Sequence, residues 1–503
     1  MGDIVSQSEK RELEKNMLRV KHKQHSKYEN NKTKTKLSIN NSTNSFYVLF
    51  DTMDHLPQAL ILEILSRLND SADVARCRVA SKTFNSLSSD LRSINLQCSL
   101  IRYIKSRSRV SNSSQSITPF KSIFLKLVSD LRVVESVCIG TDKPLRDVSY
   151  DDVEDESDDL FLTDGDFVNK WLPRVSVQLK SLSISDFWVQ SCWRRSNLLP
   201  LVSAYCDNLI ELEVKNAWLS VDNLRPMTML KSLTLEFIRL DDEDLNEFNK
   251  SFHNLQVLNL IGVGGFKLPK IHLLNLKTCH WTVSNAPSSL TLITPNLNTL
   301  KLECIRPTSL YIDAPLLSSF HLAFDHADVF SVKKFENLRS FWLQCLYIDS
   351  LLLNFPVAHT VESLTVDSRN WARGAVKYSQ FTLEKVFTVF PNISYLCIKS
   401  SAWLELESCY NPLGWAWDGR KGFKKLCAYL LLVDPALTIS SVACVLNQCI
   451  GLLEVSLLIH RDVVGNVSKN FISRCTTRWP KLKWTWGVWK EGMEDSWIND
   501  GAF

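Results

Sequence analysis

What this chain lacks narrows it first. None of its 14 cysteines forms a C-x-x-C pair, and Cys444 with Cys449 has no second pair. A zinc site would need clustered ligands, so the scattered cysteines give no metal site. There is no Walker-type lysine, no G-x-S-x-G elbow and no H-E-x-x-H. The glycine cluster Gly262-Val263-Gly264-Gly265 lacks the spacing and following helix of a dinucleotide loop. The ten histidines are dispersed. We therefore expect no enzyme activity, no catalytic residues, no metal and no cofactor.

Other absences bound the compartment. No apolar run follows the N-terminal Met-Gly-Asp, so no secretory signal is expected. A myristoylation reading of Gly2 would rest on Ser6 alone. The least charged long stretch, Pro435 to Leu453, contains Asn447, Gln448 and several Ser and Thr, which suits a buried helix better than a membrane span. The net charge of +4 is too small to argue for nucleic acid. The cysteines then read as reduced thiols filling small core spaces, in the cytoplasm and/or the nucleus.

What is present is a repeated phrase: leucine, two residues, leucine, one residue, leucine. It stands at Leu230-Lys231-Ser232-Leu233-Thr234-Leu235, at Leu255 to Leu260 and at Leu297 to Leu302. Softer copies begin at Leu179, Leu209, Leu276, Leu317, Leu338, Val361, Ile393 and Leu452. Steps of this size are the signature of a leucine-rich-repeat solenoid. One such unit cannot bury its own apolar face, so neighbours stack into a continuous core and lay out one long parallel sheet. The leucines point into the core, and alternation turns the intervening residues to the opposite, concave surface.

That alternation gives the candidate target-binding row: Glu213, Lys215, Glu236, Asn259, His280, Lys301, Glu303, His321, Trp342, Gln344, Thr365 and Asp367. Tyr395, Cys397 and Lys399 close it. Trp342 is the expected anchor, because a large outward aromatic suits an interface. The C-terminal fifth holds Trp403, Trp415, Trp417, Trp479, Trp484, Trp486, Trp489 and Trp497, which we read as a capping core.

The N-terminal part differs. Residues 1–52 carry ten Lys or Arg against three acids between Lys10 and Lys36. With so few apolar side chains they are expected to be disordered, as a solvated tail or as a basic localisation patch. Order begins at Leu56-Pro57, after which Leu60, Ile61, Ile64, Leu65 and Leu68 recur at helical spacing. Asn69-Asp70-Ser71 stops that helix and caps a second one with Val74 and Cys77, and a third short helix follows from Ser81 to Leu87. Ser99 to Ser116 reads as a loop. Leu125 onward reads as a helix leading into a first strand, Val133 to Ile139. The interval Asp147 to Asp166 holds ten acids and no Lys or Arg, and reads as a solvated insertion.

Asp54-His55-Leu56-Pro57-Gln58-Ala59-Leu60-Ile61-Leu62-Glu63-Ile64-Leu65-Ser66-Arg67-Leu68, followed by Asp73 to Lys82, resembles an F-box. One departure is Phe84, where that family often carries tryptophan. With the repeats, the chain resembles a plant F-box/leucine-rich-repeat protein over nearly its whole length. The resemblance implies a substrate-recognition subunit of an SCF-type (Skp–cullin–F-box) ubiquitin ligase. Leu56, Pro57, Ile61, Ile64, Leu65 and Val79 would line the contact with a Skp-family adaptor and, through it, cullin. Arg76, Arg78 and Lys82 would face acidic groups on that adaptor. The solenoid would hold a target protein for ubiquitination and proteasomal degradation, with no nucleic-acid or membrane partner. Two alternatives stay open: a scaffold or binding protein working without a ligase, and a receptor gated by a small molecule.

The expected fold class is α/β. A disordered basic tail (1–52) precedes a three-helix F-box (53–98), then a linker and first helix (99–130). An irregular solenoid (131–460) carries the acidic loop at 147–166, and a Trp-rich cap closes the chain (461–503).

Overall fold

In a computed structural model, Pro57 stands just ahead of the first helix, α1 (Gln58–Ser66), where its fixed φ and missing N–H cost nothing. The structure describes residues 56–107, 119–142, 158–187, 193–283, 287–325, 329–333, 335–369, 381–409, 422–449 and 451–498. The basic tail and most of the acidic interval lie outside them. Two compact units emerge. The first takes the described residues up to Arg92 together with Asp130–Arg132, and the second takes the remainder.

In the first unit, Asp70 caps α2 (Ser71–Ala80) by accepting from the Ala72 N–H at 2.9 Å, and Ser81 caps α3 (Lys82–Leu87) through the Phe84 N–H at 3.2 Å. Such caps satisfy amide donors that a helix start would otherwise leave unpaired. Ile61, Leu65, Phe84, Leu87 and Leu91 form the core, with Leu56, Leu62, Leu68, Val74, Cys77 and Leu131 packed around it.

The second unit is built on strands β1 (Ser93–Cys98), β2 (Ser136–Thr141), β3 (Ser181–Ser185), β4 (Arg195–Ser196), β5 (Glu211–Leu219), β6 (Ser232–Arg239) and β7 (Val257–Val263). There follow β8 (Lys270–His272), β9 (Thr278–Val283), β10 (Ser289–Ile293), β11 (Thr299–Glu303), β12 (Ser309–Asp313), β13 (Ser319–Ala323) and β14 (Val329–Val332). The last are β15 (Ser340–Cys345), β16 (Ser363–Ser368), β17 (Tyr395–Ile398), β18 (Lys425–Leu430), β19 (Glu454–His460), β20 (Lys483–Trp489) and β21 (Ser496–Ile498).

Seventeen of these make one sheet whose strands pair in chain order, parallel throughout except for the β20–β21 hairpin. The other four, β8, β10, β12 and β14, form a second parallel sheet. Within the first sheet the repeat leucines are buried and the residues between them are partly exposed, as in Ser232 to Glu236. The α/β solenoid expected from the leucine rhythm is therefore what the chain builds.

An asparagine stands just before the first apolar residue of many strands. Asn208, Asn254, Asn275, Asn296, Asn337 and Asn392 each donate from Nδ2 to a backbone carbonyl of the preceding repeat, at 2.7–3.0 Å. The row is interrupted at Met229, Leu316 and Thr360.

Several expectations need correction. Leu100–Arg107 is a helix rather than loop: Ser99 accepts from the Arg102 N–H at 3.3 Å as a cap, and Tyr103 is buried. The serine-rich composition there conceals a cap. The strand expected at 133–139 is Ser136–Thr141, and it is the second, since β1 pairs with it from Ser93. By its pairing β1 belongs to the sheet rather than to the helical unit, although it falls inside 53–98. At the other end, β20 lies within the expected cap yet pairs in register with β19 as a further rung.

Candidate functional site

The helical unit has two apolar stripes on α1. One, Ile61 and Leu65, is 0–1% exposed and belongs to the unit's own core, so these two do not present themselves to an adaptor. The other, Pro57, Leu60 and Ile64, faces solvent, with Leu60 52% and Ile64 37% exposed. Val79, at the end of α2, is 91% exposed. Leu56 is half-buried against the core. Of the basic residues, Lys82 is exposed and Arg76 pairs with Asp73 beside it. Arg78 is committed inside the unit, to Asp130 at 3.0 Å and Asn85 at 3.2 Å. Leu60 belongs to the helix stripe read from the sequence but not to the expected contact, because periodicity alone does not separate an inward stripe from an adjacent outward one.

In the second unit, strand register places the expected row on successive rungs of the sheet's open face. Glu213, Thr234, Asn259, His280, Lys301, His321, Trp342 and Thr365 stand side by side. A parallel row flanks it: Lys215, Glu236, Ile261, Thr282, Glu303, Ala323, Gln344 and Asp367. The charges largely satisfy one another. Lys215 lies 2.9 Å from Glu213 and 2.8 Å from Glu236, and Lys301 lies 2.7 Å from Glu303. Burial works against the Lys215 ammonium, but its bonds to Glu236 and Glu213 win and keep it charged. Asn259 donates to Thr234 at 2.9 Å and Gln344 to Asp367 at 3.0 Å.

His321 and Trp342 form the aromatic centre of the face, ring centroids 3.6 Å apart. Burial, then the Lys301 cation, pushes the His321 imidazole down to about 4. The same two causes lower His280. Both rings are therefore neutral at physiological pH, and this part of the face offers aromatic surface and hydrogen bonds rather than net charge.

Beyond Thr365 the face changes. Cys397, Cys427, Tyr429, Leu458 and Trp489 form a small apolar cluster on the open side of β17–β20, with Tyr395 packed against it. Trp489 donates its indole N–H to the Leu430 carbonyl at 3.3 Å and meets Tyr429 edge to face. Tyr395 and Cys397 thus do not close an open row; they belong to an apolar cluster of the chain's own side chains, which also takes in Trp489. Trp484 and Trp486, both on β20, stack their rings 5.2 Å apart. Trp415 and Trp417 lie outside the described residues.

Strict alternation breaks in three strands. Strands β5, β6 and β7 each carry one left-handed residue at matching rungs, Asn216 (φ 56°), Phe237 (φ 53°) and Gly262 (φ 62°). Each adds one residue and reverses the alternation beyond it, so Trp218 and Arg239 join the open face while Ala217 and Ile238 turn inward. Asn and Gly tolerate this conformation; phenylalanine does not favour it. The glycine cluster is explained here. A Cβ at Gly262 would come within 2.7 Å of the Phe237 ring, and one at Gly265 would collide with the Leu240 carbonyl.

Among the described residues, no group of three or more His, Cys, Asp or Glu could hold a metal ion, and no helix is long and apolar enough to cross a membrane. The F-box-like family matches residues 53–94. An F-box/LRR-repeat protein of Arabidopsis thaliana is 44% identical over 452 residues, covering 89% of this chain and all of that relative.

Proposed function

The chain belongs to the F-box/leucine-rich-repeat family, and on that premise we propose that it is the substrate-recognition subunit of an SCF-type ubiquitin ligase. Proteins of this family serve as receptors rather than as enzymes. The observation that carries the proposal is the outward apolar stripe Pro57, Leu60 and Ile64 with Val79, on a unit whose core is already filled by Ile61 and Leu65. Apolar side chains left exposed on a small unit whose core is already filled mark a partner's footprint. The partner is a Skp-type adaptor, which brings cullin with it. The open face around His321 and Trp342 receives the target protein, and catalysis, by proximity, belongs to other subunits.

A small-molecule-gated reading gains little. A 420 Å³ cavity beside the C-terminal cluster is large enough for a ligand, but Asp367, Lys399, Glu494 and Asp495 line it beside Tyr429 and Trp489. Ligand sites are mostly apolar with few polar groups.

The test is capture of a purified adaptor–cullin assembly by the full chain and by Leu60→Asp, Ile64→Asp and Val79→Asp. We expect each variant to melt within about 2 °C of the parent, as surface changes cost little, and to lose at least about tenfold in capture, the loss of one buried interface anchor. Folded variants that capture the adaptor as well as the parent does would sink the proposal. Failure of the parent itself to capture it would leave a scaffold acting without a ligase.

A further inference from the structure

The rim of the open face at β4–β7 holds a second recognition feature. Arg195, Trp218, Arg239 and Gly264 occupy successive rungs there. The Arg239 guanidinium lies over the Trp218 indole, its carbon 4.4 Å from the ring centroid. Four acids near this rim already have a cation: Glu213 and Glu236 share Lys215, while Asp222 and Asp244 share Arg195 at 3.4 and 3.7 Å. Asp241 and Asp242 accept from backbone N–H groups instead. Arg239 makes no ion pair within the described residues, so the hydrogen-bonding edge of a pre-oriented guanidinium is left over. On its far flank Gly264 contributes no side chain.

Phe237 stands two residues before Arg239 and is 61% exposed. It holds a backbone conformation that its neighbours fill with asparagine and glycine. Strain kept at an exposed aromatic is stability given up for something other than folding. A stacked guanidinium favours planar, bidentate bonding to a carboxylate, and an exposed ring beside it favours an apolar or aromatic side chain.

We infer that Arg239, stacked on Trp218, and Phe237 form a docking site for an acidic segment of the target protein, in which a carboxylate side chain adjoins an aromatic one. The inference deepens the receptor reading and rests on it for the identity of the partner as a target protein.

The test uses the full-length chain and fluorescein-labelled peptides read by anisotropy. One is acidic with a central aromatic (GDEFDEG), a second replaces the acids by amides (GNQFNQG), and a third carries phosphotyrosine among amides. The acidic peptide should bind at least tenfold tighter than its amide counterpart. Arg239→Gln should erase that preference, and Arg239→Lys should restore only part of it. Phe237→Gly should weaken both peptides several-fold while leaving the melting temperature unchanged or raised, which a structural role for the ring would not do. Equal binding of acidic and amide peptides, or a preference that survives Arg239→Gln, overturns the inference. So does binding of the phosphotyrosine peptide alone, which would make the site one for phosphate. Adaptor capture measured on the same variants should not change. If the parent fails to capture adaptor but keeps the acidic preference, the ligase reading fails and the docking site stands.

Discussion

Two stretches of the solenoid solve the return from one rung to the next differently. Between β7 and β15 successive rungs start 20 or 21 residues apart, and the return is a short strand, so β8, β10, β12 and β14 stack into a second sheet. From β15 onward the steps lengthen to between 23 and 32 residues, and every described return contains a helix, such as Ile348–Asn354 or Pro435–Gln448. The leucine phrase hardly differs between them; what changes is the chain left over. A strand covers about 3.3 Å per residue and a helix about 1.5 Å, so four or five extended residues cross a layer that takes a helix twice as many. The lesson is that repeat length, more than repeat composition, decides whether the back of a repeat is sheet or helix.

The sharpest way to break this comparison is a proline. Tyr311 sits in β12, paired on both sides by β10 and β14. Proline there cannot donate to a ladder, so Tyr311→Pro should cost about 3 kcal/mol or more. The helical return that begins at Pro435 already carries proline at its first position, and Pro435→Ala should change stability by less than about 1 kcal/mol. Denaturant unfolding of the two variants settles it. Equal losses would mean the returns do not differ in how they hold their backbone.

Part of this architecture was legible in the sequence, and the divisions have physical reasons. Burial forces leucine at fixed spacing, so the rungs, the parallel sheet and the order of Glu213, Asn259, His280, His321 and Trp342 across the open face could be read directly. The asparagines that bond back to the preceding repeat carried a readable signal too, an Asn before the strand's first apolar residue, but only once repeats were aligned. The inserted residue at Asn216, Phe237 and Gly262 was hidden, because one extra residue in a strand has no mark in composition. That concealed Trp218 and Arg239. The contact of Trp489 with Tyr429 was hidden because it joins rungs far apart in the chain. On α1, adjacent positions such as Leu60 and Ile61 are both apolar, and only packing tells which one turns inward.

The asparagine row offers the next test, with smaller effects. Asn275 bonds to the His253 carbonyl at 3.0 Å, and Asn296 to that of Leu274 at 2.8 Å. Asn275→Ala should cost about 1 kcal/mol, the net worth of one such bond at a partly solvated site. Leu316 occupies the same place in the next rung, is exposed, and leaves the row broken between Asn296 and Asn337. Leu316→Asn should therefore gain about 0.5–1 kcal/mol, read as a shift in the unfolding midpoint at constant slope. No gain would mean that the narrow repeats hold their turns by backbone bonds alone.

The smallest effect concerns pH, and it belongs to the narrow repeats. His280 and His321 both lie there, where burial and Lys301 hold them neutral. Once the chain unfolds, His321 returns to its ordinary value near 6.5. Between about 6.5 and about 4 the unfolded state thus binds the proton that the folded state refuses. Stability must fall as pH drops through that window, and it is fully present above it. The ring is only partly buried, so solvent screening keeps the loss small. His321→Gln should flatten the slope of unfolding free energy between pH 6.5 and 4.5 while leaving stability at pH 7.5 nearly unchanged. The histidine ring signal, followed by NMR, should titrate well below that of a free imidazole. A normal midpoint, or an unaltered slope in the variant, would mean that Trp342 does not shield His321, and that the centre of the open face carries positive charge at mildly acid pH instead of a neutral aromatic surface.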